Sequence, residues 1–325
     1  MKKSLISLIK FGLAIGLIGW MISTGKLDFS KLAILFNNPL VLLAGITIWA
    51  TAAVFLSSIR WVFLLRAAGY TINAFRGIQL QLIGLFFNTV MPGSVGGDLI
   101  KVLYIIKDNK HLGKTPALLS VLIDRVIGLA GLFTMGSLVL LVASLSGENP
   151  VSKSHSYLIY GVTLAWIITL FSCLYLPQQF LDRIEALLDR DHKIFSAIAK
   201  LYKAITGYRN HSKALYIGWS FSALLQGLNF IYFFILTVLI SDPQASFAKV
   251  AAIFPVGITT TALPISPGGL GVGHLAFEEL FKSIGMLKGA DCFNVFLLST
   301  LSFNLIGIFP YLSIKKSIPL DQSQI

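Results

Sequence analysis

Charge is what this chain has least of. Charged residues fill 12% of its 325 positions, against roughly 25% in an ordinary soluble domain. So thinly charged a surface would not stay dissolved, which excludes a soluble globular protein. Acidic residues are scarcer still, 14 against 26 Lys and Arg, for a formal net charge of +12. In a soluble chain that surplus would point to nucleic acid. Here the basic residues flank apolar runs, as expected beside anionic headgroups, and no nucleic-acid partner is inferred. There are two cysteines, Cys173 and Cys292. Each sits in an apolar run without paired spacing, which excludes a disulfide framework or thiolate site and makes both packing residues. His111, His155, His192 and His211 fall in loops with no ligand spacing, so no metal is called for. No phosphate-loop motif is present and no strand precedes a glycine cluster, so no nucleotide cofactor is expected.

What is abundant is apolar sequence: 55% hydrophobic residues and a mean hydropathy of +0.80. The chain reads as an all-α, polytopic integral membrane protein forming a single transmembrane domain, 1–325. Lys2, Lys3 and the following apolar run imitate a signal peptide, but no small-residue cleavage pattern follows Trp20, so a retained first helix is expected. Six runs approach the ~20 helical residues needed to cross a ~30 Å hydrocarbon core: Ser4–Ile22, Pro39–Leu65, Thr115–Leu145, Tyr157–Leu176, Ala214–Ile240 and Cys292–Ile314. Two more, Gly77–Met91 and Val250–Leu263, are too short. Each ends in a Pro/Gly cluster and resumes as a short helix, over Leu99–Ile106 and Leu275–Ile284.

The basic residues test whether these short runs turn back. With a cytoplasmic N-terminus and two re-entrant hairpins, 77–106 and 250–284, nineteen Lys and Arg collect on the cytoplasmic side and six on the other. That asymmetry is what the positive-inside rule requires. Both termini are then cytoplasmic. The clusters also align with each other, Pro92-Gly93-Ser94-Val95-Gly96-Gly97-Asp98 against Pro267-Gly268-Gly269-Leu270-Gly271-Val272-Gly273. Broken helices at matching places in oppositely oriented halves are the sequence mark of an inverted repeat built around a transport site. The halves are 1–145 and 214–316. Between them, 178–213 reads as an amphipathic cytoplasmic linker lying on the membrane surface.

Polar residues in such a chain need a reason. Irregular backbone at membrane depth is tolerated where protein or a water-filled cavity satisfies it, and glycines expose amide N–H groups beside a helix start that favours anions. Asp98 reads as the cap of the resumed helix, with Lys101 one turn on facing the same cavity. The bland alternative is tight hairpin packing with Asp98 merely capping. Asp124 and Arg125 lie about ten residues into a span, where unpaired charge is costly. They point about 100° apart, so each is expected to pair with another helix, as phosphate holder and counter-charge or as a static clasp. Arg60, nearer a helix end, reads as a snorkelling residue. His274 and Glu278, four apart, share a face and form a candidate titratable pair, with a structural His as the bland reading. Gln226, Asn229 and Asn304 read as interhelical glue.

The runs "NTVMPGSVGGDLIK" from Asn88, "LIDRVIGL" from Leu122 and "PISPGGLGVG" from Pro264 resemble, in that order and spacing, the flippase-like transmembrane domain of lysylphosphatidylglycerol synthases and their stand-alone relatives. The resemblance covers nearly the whole chain. It implies a bacterial or archaeal cytoplasmic (inner) membrane protein that moves a lipid between leaflets. Its motif residues map onto Asn88, Pro92, Gly96, Gly97 and Asp98, then Asp124 and Arg125, then Pro267, Gly268, Gly269 and Gly271, with Gly93 in the same turn. Lys101 departs from the family's usual Arg and His274 from a frequent Glu. Little sequence follows Ile314, so the aminoacyl-transferase domain is not expected. The implied substrate is a phosphate-bearing lipid: a phospholipid, an aminoacyl-phospholipid or a polyprenyl-phosphate-linked sugar. Partners of this reading are that lipid, a second copy of the chain and a separate lipid-modifying enzyme. An intramembrane enzyme using Asp98, Asp124 and His274, or a non-transporting scaffold, are the rival readings.

Overall fold

The computed structural model describes residues 29–91, 96–109, 111–181, 183, 193–261 and 271–316. The expected first span, Ser4–Ile22, and the hairpin tips with Pro92, Gly93, Pro267, Gly268 and Gly269 lie outside them. Among the described residues every regular element is helical. A short α1 (Ala33–Asn37) leads into α2 (Pro39–Ala67), whose middle, Ala50–Leu56, widens into π-helical turns. Then come α3 (Ala74–Val90) and α4 (Gly96–Asp108), the long α5 (Lys114–Leu145) and α6 (Lys153–Tyr175), and α7 (Lys193–Thr206). The last four are α8 (Arg209–Ile240), α9 (Phe247–Thr261), α10 (Val272–Ser283) and α11 (Gly289–Ile314). Of these, α2, α5, α6, α8 and α11 are long and apolar enough to cross a membrane. Their outward faces carry bare Leu40, Phe55, Leu141, Leu164, Ile168 and Phe309. Apolar surface on that scale is tolerable only against lipid.

The two short runs form helical hairpins. Gln81 meets Lys101 and Gly84 meets Gly97, so α3 and α4 run antiparallel. Gly257 meets Phe277 and Thr261 meets Gly273, so α9 and α10 do the same. Contact is closest at Gly97, where a Cβ would lie 1.9 Å from the Gly84 carbonyl oxygen. Only glycine lets the two backbones approach so closely. Pro255 sits inside α9 and packs on Gly136 of α5, a helix interruption that neighbouring helices make tolerable in membranes.

Long helix, hairpin, long helix occurs twice, as α2 to α5 and as α8 to α11. Phe63 lies beside Phe221, Arg60 reaches Ser222 and Gly45 meets Tyr232, so α2 and α8 are antiparallel. Gly131 meets Ser222 and Met135 meets Gly227, so α5 and α8 are parallel. The second set is therefore inverted relative to the first. Between the sets, the C-terminal part of α7 packs on protein. Tyr202, Ala204 and Ile205, with Tyr208 just beyond, are buried in one cluster with Leu64, Ile123, Ile127 and Leu170. The Tyr208 hydroxyl donates to the Leu64 carbonyl at 3.2 Å. These residues pack on an apolar floor formed by the ends of α2, α5 and α6, while the side chains of 184–198, which carry most of the amphipathic pattern, lie outside the described ones.

Candidate functional site

Five charged side chains from α2, α4 and α5 meet where the first hairpin closes on the bundle. Asp98 is the third residue of α4. Its carboxylate accepts from Arg125 Nε at 2.8 Å and Nη2 at 2.7 Å, and from Lys101 Nζ at 3.1 Å. The expected capping role falls instead to Asn88, whose Oδ1 accepts the Gly97 N–H at 2.8 Å across the hairpin. Four amides at any helix start lack intrahelical partners, and the close Gly84–Gly97 contact brings Asn88 within reach of one. Asp98 is thereby left to the stronger charge-assisted bonds.

Lys101 does not face an open cavity. It is 4% exposed, its Nζ also donates to Gln81 Oε1 at 3.1 Å, and it lies over the Trp61 ring at 4.6 Å. Arg60 likewise does not snorkel. At 6% exposed it grips Asp124 with two bonds, Nε to Oδ1 at 2.7 Å and Nη2 to Oδ2 at 2.8 Å, while Nη1 donates to Ser222 Oγ at 2.7 Å. Asp124 and Arg125 thus pair on different helices, as their 100° separation requires. The two pairs differ in access. The Arg60 and Asp124 side chains are 8% and 13% exposed, whereas Arg125 is 41% exposed. Among the described residues, three cations accompany two carboxylates, a formal surplus of one positive charge, and Arg125 is the most exposed of the five side chains.

A family model described as the lysylphosphatidylglycerol synthase TM region matches residues 7–290. The chain belongs to that family. Among similar curated proteins is a UPF0104 membrane protein of Pyrococcus horikoshii, 23% identical over 89% of each chain. Another, from Methanocaldococcus jannaschii, is 22% identical over 87% of each chain. No solved structure matches at a significant level. As a member of this family the chain is a multi-pass membrane protein with relatives in archaea, and the family supports a membrane-lipid role.

The second hairpin repeats the placement with weaker chemistry. His274 is the third residue of α10 as Asp98 is of α4, one position beyond the residue the aligned motifs set opposite Asp98, and its Nε2 lies 3.3 Å from Asn294 Oδ1 on α11. Arg125 occupies the corresponding helix of the first half. His274 Nδ1 also accepts from the N–H of Gly271, a residue at φ +82°. Glu278 does not pair with His274. Its Oε2 accepts the Ala290 N–H at 3.1 Å, at the start of α11, where a carboxylate is favoured by the helix dipole.

Gln226 and Asn229 do not bridge helices. Asn229 Nδ2 donates to Gln226 Oε1 at 3.3 Å on the same helix. Asn304 does bridge, accepting from Trp49 Nε1 at 2.9 Å and donating to Thr89 Oγ1 at 3.2 Å. Gln81, Trp61 and Ser222 are the site residues that sequence reasoning passed over, and Arg60 is one it noticed and read as snorkelling. Spacing offered one signal: Ser222, Gln226 and Asn229 fall at i, i+4 and i+7 on one face of an otherwise apolar span.

Proposed function

We propose that this protein moves a phosphate-bearing lipid between the leaflets of a prokaryotic cytoplasmic membrane. The observation carrying this reading is the charge cluster with a formal surplus of one cation among the described residues, whose half-exposed Arg125 is held by a carboxylate rather than buried behind it. A guanidinium fork suits a phosphate as well as a carboxylate. An arriving phosphate replaces Asp98 on Arg125, and Asp98 keeps Lys101 as its counter-ion. The start of α4, with its amides and dipole, favours the same anion. Arg60 and Asp124 hold α2, α5 and α8 together around the site. The inverted halves then supply the geometry for exposing it alternately to the two faces. The basic-residue asymmetry supports cytoplasmic placement of both termini.

Asp98 and Asp124 are each tied to cations, and His274 sits on the other hairpin. General acid/base chemistry wants such groups converging on one substrate atom, so the transport reading is favoured over the enzymatic one. The test is exchange of headgroup-labelled lipids across proteoliposomes bearing wild type or Arg125→Ala, with the recovered lipid analysed chemically. Wild-type exchange of unaltered lipid, lost in Arg125→Ala, is expected. A folded Arg125→Ala that exchanges lipid at the wild-type rate would overturn the proposal, and a chemically altered lipid would establish the enzyme instead.

A further inference from the structure

The two hairpins are fastened at matching places by different chemistry. On the first, the third residue of α4 is Asp98, fixed by Arg125 and Lys101. On the second, the third residue of α10 is His274, 8% exposed and perpendicular to the Phe293 ring at 5.0 Å. Histidine is the side chain whose charge ordinarily changes in the physiological pH range.

The two ring bonds of His274 suit only the neutral form. Nδ1 accepts the Gly271 N–H at 3.4 Å, which puts the ring proton on Nε2, and Nε2–H then donates to Asn294 Oδ1 at 3.3 Å. The first bond closes the start of α10, and the second ties α10 to α11. A further proton would go to Nδ1 and set one N–H against another. It would also put positive charge in the first turn of α10, where the helix dipole repels it, and inside protein, where uncompensated charge is costly.

The ionisable groups on the packed elements are engaged elsewhere or distant. On α10, Glu278 accepts the Ala290 N–H at 3.1 Å, and Glu279 pairs with Lys282 at 2.8 Å. On α11, Asp291 pairs with Lys31 at 2.8 Å, Lys288 donates to the Ile240 carbonyl at 3.3 Å, and Cys292 bonds to Thr237. Tyr232 on α8 donates to Ser299 at 2.9 Å, and Lys249 on α9 lies twelve residues before Thr261. Residues 262–270, between α9 and α10, include no ionisable side chain. Among the described residues, therefore, no carboxylate is bonded to the ring to steady its charged form.

We infer that His274 is a proton-binding latch on the second hairpin: neutral, it holds Gly271 and Asn294; protonated, it releases both, and lipid movement is thereby linked to proton uptake. The latch stands on this geometry, and its link to transport rests on the proposed lipid reading. Hydrogen–deuterium exchange on the protein in nanodiscs tests the latch, with α4 in the same sample as the reference for α10 at each pH. From about pH 8 to about pH 5.5, the protection of α10 relative to α4 should fall about tenfold, since opening linked to one proton gains up to about tenfold per pH unit. His274→Asn, whose Oδ1 can accept the Gly271 N–H in place of Nδ1 but takes no proton, should abolish that fall. Transfer of headgroup-labelled lipid between proteoliposome leaflets should accelerate over the same range in wild type and stay flat in His274→Asn. Relative protection that ignores pH in wild type, or that falls equally in His274→Asn, would overturn the latch. A latch that opens while lipid moves at one rate throughout would overturn the linkage alone. Absence of lipid movement at every pH would overturn the lipid reading and with it the linkage, while the protection of α10 still decides the latch.

Discussion

On the proposed reading Arg60 carries stability and Arg125 carries function, and substitution can separate the roles. Arg60 and Asp124 are 8% and 13% exposed and joined by two bonds of 2.7 and 2.8 Å. Removing one partner of such a pair leaves a buried charge uncompensated, which costs about 3–5 kcal/mol. Asp124→Asn keeps the shape and loses the charge, and Ser222 remains on Arg60, so the lower end, about 3 kcal/mol, is expected. That is a shift of roughly a hundredfold in the folding equilibrium. The double variant Arg60→Met, Asp124→Leu removes both charges and should recover all but about 1 kcal/mol, because apolar replacements of buried pairs are often neutral. Ser222 then bonds back to its own helix. Arg125→Ala removes a half-exposed partner, and solvent screening limits its cost to about 1 kcal/mol or less. The assay is unfolding in mixed micelles with SDS, followed by tryptophan fluorescence. Single variants costing under about 0.5 kcal/mol, or a double variant as unstable as the sum of its singles, would refute the assignment of Arg60 and Asp124 as a buried clasp.

Three further outcomes follow from packing and topology. Gly97→Ala would place a methyl 1.9 Å from the Gly84 carbonyl oxygen and should abolish the folded species on size-exclusion chromatography; Gly128→Ala, whose Cβ would sit 3.5 Å from Arg60, should be tolerated. Asn304→Leu leaves the Trp49 indole N–H without its acceptor and should cost about 1–3 kcal/mol in the same SDS titration. Cys173 and Cys292 are both 0% exposed, so Lys203→Cys and Lys153→Cys should each give a single reactive thiol. Impermeant maleimide added to intact cells should label the second and spare the first.

Much of the fold was legible because hydropathy and helix length are properties of local sequence. The long helices α2, α5, α6, α8 and α11 coincide with apolar runs to within a few residues, and both hairpins were marked by runs too short to span and broken by Pro and Gly. The site was legible only in part. Asp124 and Arg125 stood out because charge inside a span demands a partner, but spacing along one helix cannot name that partner. Arg60 was misread for the same reason. Its distance from the helix end allowed snorkelling, and only the crossing of α2 with α5 and α8 shows the carboxylate and hydroxyl that hold it. Asp98 misled through its place at a helix start, where capping is the commonest local role. The competing cations come from one turn ahead and from another helix.

The central claim is that Arg125 trades Asp98 for a lipid phosphate. The most direct measurement is nitrogen–phosphorus dipolar recoupling by solid-state NMR on ¹⁵N-arginine-labelled protein in phospholipid bilayers, with Arg125→Lys identifying the Arg125 signal by its loss. A guanidinium–³¹P coupling that belongs to Arg125, and that strengthens in Asp98→Asn where the competing carboxylate is gone, is the expected result. An Arg125 signal with no phosphorus coupling in either protein would contradict the account and leave the charge cluster as a structural clasp.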